Sequence, residues 1–230
     1  MALSVIVGAL LAAQATTQPN LSRHIYPLAP PKPCPPITID VSESPESAQW
    51  AEEAKKLATA WWPHLCQLLS TQELTPPKSI KFKFRKKQEA PAYSGGGEIS
   101  FSVDWITKHP DDMGVVIHEL THIVQSYPGN KADTGWMVEG IADYMRWWRF
   151  EPEALNHRIN WEKASYKDGY GTAAWLLAWA GRKYNMGLVP ALDKDLRKGE
   201  DPYPTLQRMT GKSVDDLWKE FRTANEGKKL

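Results

Sequence analysis

Residues His118–His122 read His-Glu-Leu-Thr-His and lie in an amphipathic segment that predicts a helix over residues 113–126. Two histidines four residues apart stand one turn apart on the same helix face, so both imidazoles can reach one zinc ion. Glu119 lies beside them, where its carboxylate can hold a metal-bound water. The alternative is that these three residues form a solvated or hydrogen-bonded face of the helix.

A second predicted helix, over residues 137–149, strengthens the metal-site interpretation. Residues 123–138 separate His122 from Glu139 and include a Tyr-Pro-Gly-Asn turn, so the chain can reverse and bring Glu139 alongside as a third ligand. Asp143 follows on the same face one turn later, where it can accept the free ring N–H of a ligating histidine. The alternative is that Glu139 and Asp143 are ordinary surface acids.

The remaining patterns predict an α+β domain in which a small mixed sheet is followed by a helical half. Residues 80–85 and 98–103 alternate in polarity and predict strands, the second of them after a triple-glycine turn. A helix with an apolar stripe opens at Ser44-Pro45-Glu46. The chain after about Pro110 predicts helices, over 113–126, 137–149, 170–184 and 214–223.

The N-terminal residues predict segments that lie outside this domain. Residues 1–15 carry no charged side chain and end in Ala-Gln-Ala, which is typical of a signal peptide; a buried N-terminal strand or helix is the alternative. Residues 16–36 are rich in proline and predict an extended leader. We therefore expect a folded domain over 37–230 and a secreted protein, extracellular or periplasmic. The apolar run is too short to span a membrane.

Composition narrows the classes of partner. The chain has 28 Lys and Arg against 27 Asp and Glu, so its charge gives no reason to expect a nucleic acid partner. Eleven tryptophans are expected mainly to pack a broad helical core. The cysteines, Cys34 and Cys66, could pair in an oxidising compartment or remain two separate buried thiols.

The two helical motifs together resemble those of known zinc peptidases. His118–His122 followed by Glu139-Gly140-x-Ala142-x-Tyr144 resembles the gluzincin clan. The same two motifs, together with the Gly169-Tyr170 helix start and the segment 211–218, are similar to those of the basic secretory protein family of plants and bacteria, a zinc peptidase family. This resemblance covers roughly residues 37–221. The spacer before Glu139 is shorter than in thermolysin-like and aminopeptidase-like gluzincins, and the near-neutral charge departs from the family's name.

The resemblance implies a zincin-like fold whose His-Glu-x-x-His helix carries the active site. It implies that His118, His122 and Glu139 hold Zn²⁺, that Glu119 is the general base, and that a tyrosine, Tyr170 or alternatively Tyr166, steadies the oxyanion. It also implies that residues 98–103 pair with a protein or peptide substrate as an added strand.

We expect from these features a monomeric zinc endopeptidase with no membrane span and no nucleic acid partner. An aminopeptidase would need a further group to capture the free amine of its substrate. A rival from another class is a secreted, non-catalytic, zinc-stabilised binding protein for cell-wall polysaccharide or a protein partner. An intact Glu119 argues against that rival, because a structural zinc needs no general base between its ligands.

Overall fold

The structure is a computed structural model that describes residues 31–69, 74–129, 132–152 and 158–227. The predicted signal peptide and residues 16–30 of the predicted leader lie outside the described residues, and residues 31–36 have no regular secondary structure. The described residues form four strands and eight α-helices. These are β1 Ile37–Asp40, β2 Ile80–Arg85, β3 Ala92–Gly95 and β4 Glu98–Ser102, with α1 Ala48–Leu68, α2 Val103–Lys108, α3 Gly114–Gln125, α4 Gly135–Tyr144, α5 Tyr170–Lys183, α6 Leu188–Arg197, α7 Tyr203–Thr210 and α8 Val214–Asn225.

The sheet is mixed, with the strand order β1-β2-β4-β3. β2 pairs in parallel with β1 and with β4, whereas β3 pairs antiparallel with β4 across the turn at Gly96 and Gly97. These glycines have φ values of 58° and 82°, the left-handed region that favours glycine. The α+β class with a small mixed sheet is therefore confirmed, and the helical half follows the sheet from α2 onward, whereas α1 lies between β1 and β2.

The expectation that residues 98–103 form the strand open to substrate is wrong. β4 is paired on both sides, by β2 and by β3, so its backbone hydrogen bonds are already used. Residue 103 already belongs to α2, which begins after Ser102 accepts a hydrogen bond from the backbone N–H of Trp105. Among the described strands, the one with a free edge at this side of the sheet is β3.

Helix α1 and helix α3 pack against each other beside the sheet and form the first half of the core. The predicted stripe on α1 is buried at residues that recur at helical spacing, with Leu57 only partly buried: Ala51, Ala54, Ala58, Trp61, Leu65 and Leu68. A short 3-10 turn, Pro45–Ser47, leads into α1. The prediction of a buried, amphipathic α1 is thus confirmed.

The helical half follows the predicted helices closely where they are long. α3, α5 and α8 agree with the predicted ranges to within about two residues, and Ser213 caps α8 by accepting from the backbone N–H of Asp216. The predicted helix over 137–149 is α4 followed by one π-helical segment, Met145–Phe150. Helices α2, α6 and α7 were not predicted.

Many of the tryptophans pack into this core, as expected. Trp175 and Trp218 pack with Phe221 between α5 and α8, and Trp161 lies against all three rings. Cys34 and Cys66 are not bonded to each other, and burial raises the pKa of the Cys34 thiol to about 11. Within the described ranges, no helix is long and apolar enough to cross a membrane.

Candidate metal centre

Helix α3 carries the His-Glu-x-x-His residues through the middle of the molecule. His118 and Glu119 are 8% and 6% exposed, because the sheet and α1 cover one side of α3 and α4 covers another. Polar side chains buried to this extent need specific partners, since burial without them is costly. Each partner of the two histidines therefore bears on what the site does.

Three ligand atoms converge at one point between α3 and α4. The Nε2 atoms of His118 and His122 are 3.1 Å apart, and each lies 3.4 to 3.5 Å from Oε2 of Glu139. Tetrahedral zinc with bonds of about 2.0 to 2.1 Å holds its ligand atoms about 3.3 Å from one another. The separations between the three atoms thus fit a tetrahedral zinc site whose fourth position stays open.

The far nitrogen of each imidazole is held by a separate acceptor. Nδ1 of His118 lies 2.7 Å from Oδ1 of Asp143, and Nδ1 of His122 lies 2.7 Å from Oε1 of Gln125. If each Nδ1 donates its proton there, the neutral rings direct their Nε2 lone pairs at each other and at the Glu139 carboxylate. Such a set of lone pairs is stable only around a cation, which is the observation that favours a metal ion.

Gln125 is a site residue that the sequence analysis missed. Its Nε2 donates to the backbone oxygen of Val138 at 3.0 Å, so its amide oxygen is the atom left to face His122. The bond also ties α3 to α4 one residue before Glu139. The spacing of three residues from His122 to Gln125 on one helix was the available signal.

The charges of the ion-free centre show how strongly its groups interact. Burial acts to lower the pKa of His118, but the hydrogen bonds to Asp143 and Glu139 and the negative charges of Asp143 and Glu119 outweigh it and raise that pKa to about 9. Burial acts to raise the pKa of Glu139, but the bonds from His118 and His122 lower it to about 2. Without a metal, a proton on His118 takes over part of the cation's role.

Close packing of α4 against α5 sets the position of Glu139. A Cβ placed on Gly140 would lie 2.7 Å from the Cβ of Ala173 on α5, so only glycine permits this approach. Gly169, just before α5, has a φ of 71°, and a Cβ placed on it would lie 3.4 Å from the Cβ of Glu139. The two glycines therefore hold Glu139 and the start of α5 together.

A cleft of about 790 Å³ opens over the three ligand atoms. Its floor includes His118, Glu119, His122 and Glu139, and residues 90–94, including most of β3, line one wall. Glu119 thus faces the same space as the converging ligand atoms, as a general base requires. The predicted ligands, Glu119 and Asp143 are all brought together in this cleft.

A family model described as peptidase of plants and bacteria matches residues 46–221. The chain belongs to this peptidase family. The matched residues include the three predicted metal ligands, Glu119, Gln125, Asp143 and both candidate tyrosines. No curated protein and no solved structure matches the chain. Membership of this family indicates that the protein is a peptidase.

The two candidate tyrosines of this peptidase have different positions. Tyr170 is 56% exposed, lines the cleft, and its ring centroid lies 6.2 Å from that of His118. The negative charge of Glu139 raises the pKa of Tyr170, so its hydroxyl stays protonated and can donate. Tyr166 is buried, packs against Trp136 and donates to Asp215 at 3.0 Å. The structure places Tyr170 at the site and does not bring Tyr166 to it.

The far end of the cleft contains a cluster of charged and aromatic side chains that was not predicted from the sequence. Arg146 donates to Asp112 at 2.6 Å and to Glu151 at 2.9 Å, while Asp112 also accepts from the indole N–H of Trp105 at 2.9 Å. The Arg146 guanidinium lies 4.1 Å from the ring centroid of Trp147, which also lines the cleft. These contacts hold the indole rings of Trp105 and Trp147 in place at this end of the cleft.

Proposed function

We propose that this protein is a secreted zinc metallopeptidase of the gluzincin type, with a zincin-like fold. The observation that carries the proposal is the convergence of His118 Nε2, His122 Nε2 and Glu139 Oε2 at separations of 3.1 to 3.5 Å beneath an open cleft. Two orienting acceptors, Asp143 and Gln125, support it because metal-binding histidines almost always donate their other N–H to such a group.

The chain's own residues have distinct roles in this proposal. A zinc ion held by the three ligands would acidify a bound water and polarise the scissile carbonyl. Glu119 accepts a proton from the attacking water and delivers it to the nitrogen of the leaving amine. The Tyr170 hydroxyl donates a hydrogen bond to the carbonyl oxygen as negative charge develops there. Asp143 and Gln125 keep the histidine rings in the required orientation.

The cleft supports an endopeptidase that binds an extended peptide. β3 presents an unpaired strand edge along the wall, so a substrate backbone can add to the sheet beside it. A neighbouring pocket shares Ser94 and His122 with the cleft and is lined further on by Gly95, Gly97 and Tyr127, while the cleft itself reaches Trp105 and Trp147. A groove open on both sides of the metal centre accommodates chain on both sides of the scissile bond.

Secretion and domain limits are part of the same proposal. We assign residues 1–15 to a signal peptide, 16–36 to a proline-rich leader and 37–230 to the peptidase domain. The uncharged N-terminus with its Ala-Gln-Ala sequence supports the first, and the family match from residue 46 supports the last. We expect the mature protein to be a monomer.

The experiment uses the chain from residue 16 onward, purified with one equivalent of zinc. It is incubated with a denatured protein and with peptides whose N-termini are either free or acetylated, and the products are identified by mass spectrometry. We expect internal cleavage of acetylated peptides, loss of cleavage with a chelator and recovery when zinc is returned. Release confined to free N-termini would indicate an aminopeptidase. Full zinc content with no cleavage across a broad peptide library would leave a binding protein as the better account.

A further inference from the structure

A second cavity lies away from the metal centre, on the other side of the same helical stretch. Its volume is about 320 Å³, and Tyr144, Trp148 and Arg149 line one side of it. Residues of α5 and of the segment into α6 complete the lining: Ala178, Gly181, Arg182, Met186 and Val189. None of these residues lines the peptidase cleft. Two neighbouring residues of the π-helix thus line different cavities, Trp147 the cleft at the metal centre and Trp148 this second cavity.

The cavity contains two guanidinium groups and no acidic group among its lining residues. Within the described ranges, neither Arg149 nor Arg182 forms an ion pair. By contrast, the mostly buried side chain of Arg146 pairs with Asp112 and Glu151, and the mostly buried side chain of Arg197 pairs with Asp193. Of the two arginines at the cavity, Arg149 is half-buried and Arg182 is exposed. Two permanent positive charges that share one concave surface without a counter-charge attract an anion.

The hydrogen-bonding capacity of these two arginines is also largely unused. Arg149 donates from Nη2 to the hydroxyl of Tyr144, while its buried Nε has no partner among the described residues. Arg182 donates from Nε to the backbone oxygen of Ala178 at 3.4 Å. Because a guanidinium has five N–H donors, most of those on this pair remain free for a planar, bidentate acceptor such as a carboxylate.

The rest of the lining is apolar and partly flat. The rings of Tyr144 and Trp148 are stacked with an interplanar angle of 12° and centroids 6.5 Å apart. Met186 and Val189 face the same space from the other side. A volume near the lower end of the range for small-molecule sites suits a ligand with one ring rather than a peptide or an extended lipid.

We infer that this cavity binds a small aromatic carboxylate, with its carboxylate on Arg149 and Arg182 and its ring against Trp148, Met186 and Val189. The site is independent of the proposed peptidase chemistry and does not require a metal.

The test measures binding of 3-phenylpropanoate to the zinc-loaded mature chain by calorimetry. The neutral isostere 3-phenylpropanamide and the ring-free anion acetate are measured alongside it. We expect the carboxylate to bind at least tenfold more tightly than either, because each comparison compound lacks one half of the recognised chemistry. Equal binding of the amide, or no binding of 3-phenylpropanoate at 10 mM, would overturn the inference.

Variants distinguish this cavity from the metal centre, which can also attract a carboxylate. Gly181→Leu adds apolar volume at the cavity wall, where a Cβ placed on Gly181 meets no heavy atom within 4 Å. It should abolish binding while leaving the melting temperature unchanged or higher. Arg149→Gln and Arg182→Gln should each weaken binding at least tenfold, whereas Arg208→Gln, at a position outside the cavity, should not. Binding that survives Gly181→Leu but disappears when zinc is removed would assign the ligand to the peptidase cleft instead and overturn the inference.

Discussion

Replacement of Asp143 separates the orientation of a zinc ligand from ligation itself. The Asp143 carboxylate lies 2.7 Å from His118 Nδ1, and both side chains are about nine-tenths buried. A hydrogen bond to a charged acceptor of this kind contributes about 1.5 to 3 kcal/mol. Loss of a group that orients a metal-binding histidine weakens metal affinity by about 10- to 100-fold, which corresponds to about 1.4 to 2.7 kcal/mol. The two magnitudes agree, so we expect Asp143→Ala to weaken zinc binding toward 100-fold.

Asp143→Asn should fall near the tenfold end, because the asparagine oxygen can still accept from Nδ1 but has lost its charge. The assay is competition for zinc against a chromophoric chelator at pH 7.5, with circular dichroism of the metal-free proteins as the test of folding. Asp133→Asn is the matched control, since Asp133 is exposed and pairs only with Lys167 among the described residues. A dissociation constant within twofold of wild type for Asp143→Ala would refute the role we assign to Asp143. Complete loss of zinc in folded Asp143→Asn would instead make Asp143 a ligand.

Three further predictions concern packing, catalysis and pH. Gly140→Ala should lower the free energy of unfolding, measured in urea, by about 1 to 2 kcal/mol, because its Cβ would lie 2.7 Å from that of Ala173. Gly181→Ala, whose Cβ would meet no heavy atom within 4 Å, should instead raise the melting temperature in thermal unfolding. Tyr170→Phe should lower kcat by about 10²- to 10³-fold with KM little changed, whereas Tyr166→Phe should leave kcat unchanged and cost about 1 kcal/mol of stability; equal effects on kcat would contradict this assignment. In the metal-free protein, the pKa of His118 is raised from 6.5 to about 9, so the contribution of this residue to stability is complete below pH 6.5 and is lost as the pH rises through 9. Thermal melts from pH 6 to 10 should show this loss, and Asp143→Asn should make the loss smaller.

The parts of the fold that local patterns specify could be predicted from the sequence. Helix α3 and the long helix α5 have apolar residues at helical spacing, and β2 alternates strictly along its length. The position of β4 between β2 and β3 could not be predicted, because strand order depends on pairings between distant segments rather than on alternation. Helices α6 and α7 are short and carry Pro190 and Pro204 in their first turns, which locally resemble turns or loops.

The residues of the site likewise divide into those that local spacing predicts and those that it does not. His118, His122, Glu139 and Asp143 follow from helical spacing plus one chain reversal, so the sequence could place them on facing helices. Gln125 was missed because its role depends on a bond to Val138 on the neighbouring helix. The choice between Tyr166 and Tyr170 depends on the chain direction at Gly169, which spacing does not reveal. The Arg146 cluster joins segments far apart in the sequence and could be found only in three dimensions.

The central claim is that one zinc ion on His118, His122 and Glu139 acts together with Glu119 to cleave peptides. Its most direct test is the Glu119→Gln variant, with zinc content by elemental analysis and peptide cleavage measured on the same sample. Gln is nearly isosteric with Glu and leaves all three ligands in place, so we expect one zinc per folded chain and a rate lower by about 10²- to 10⁴-fold or more. Cleavage at the wild-type rate by Glu119→Gln with full zinc would contradict the account.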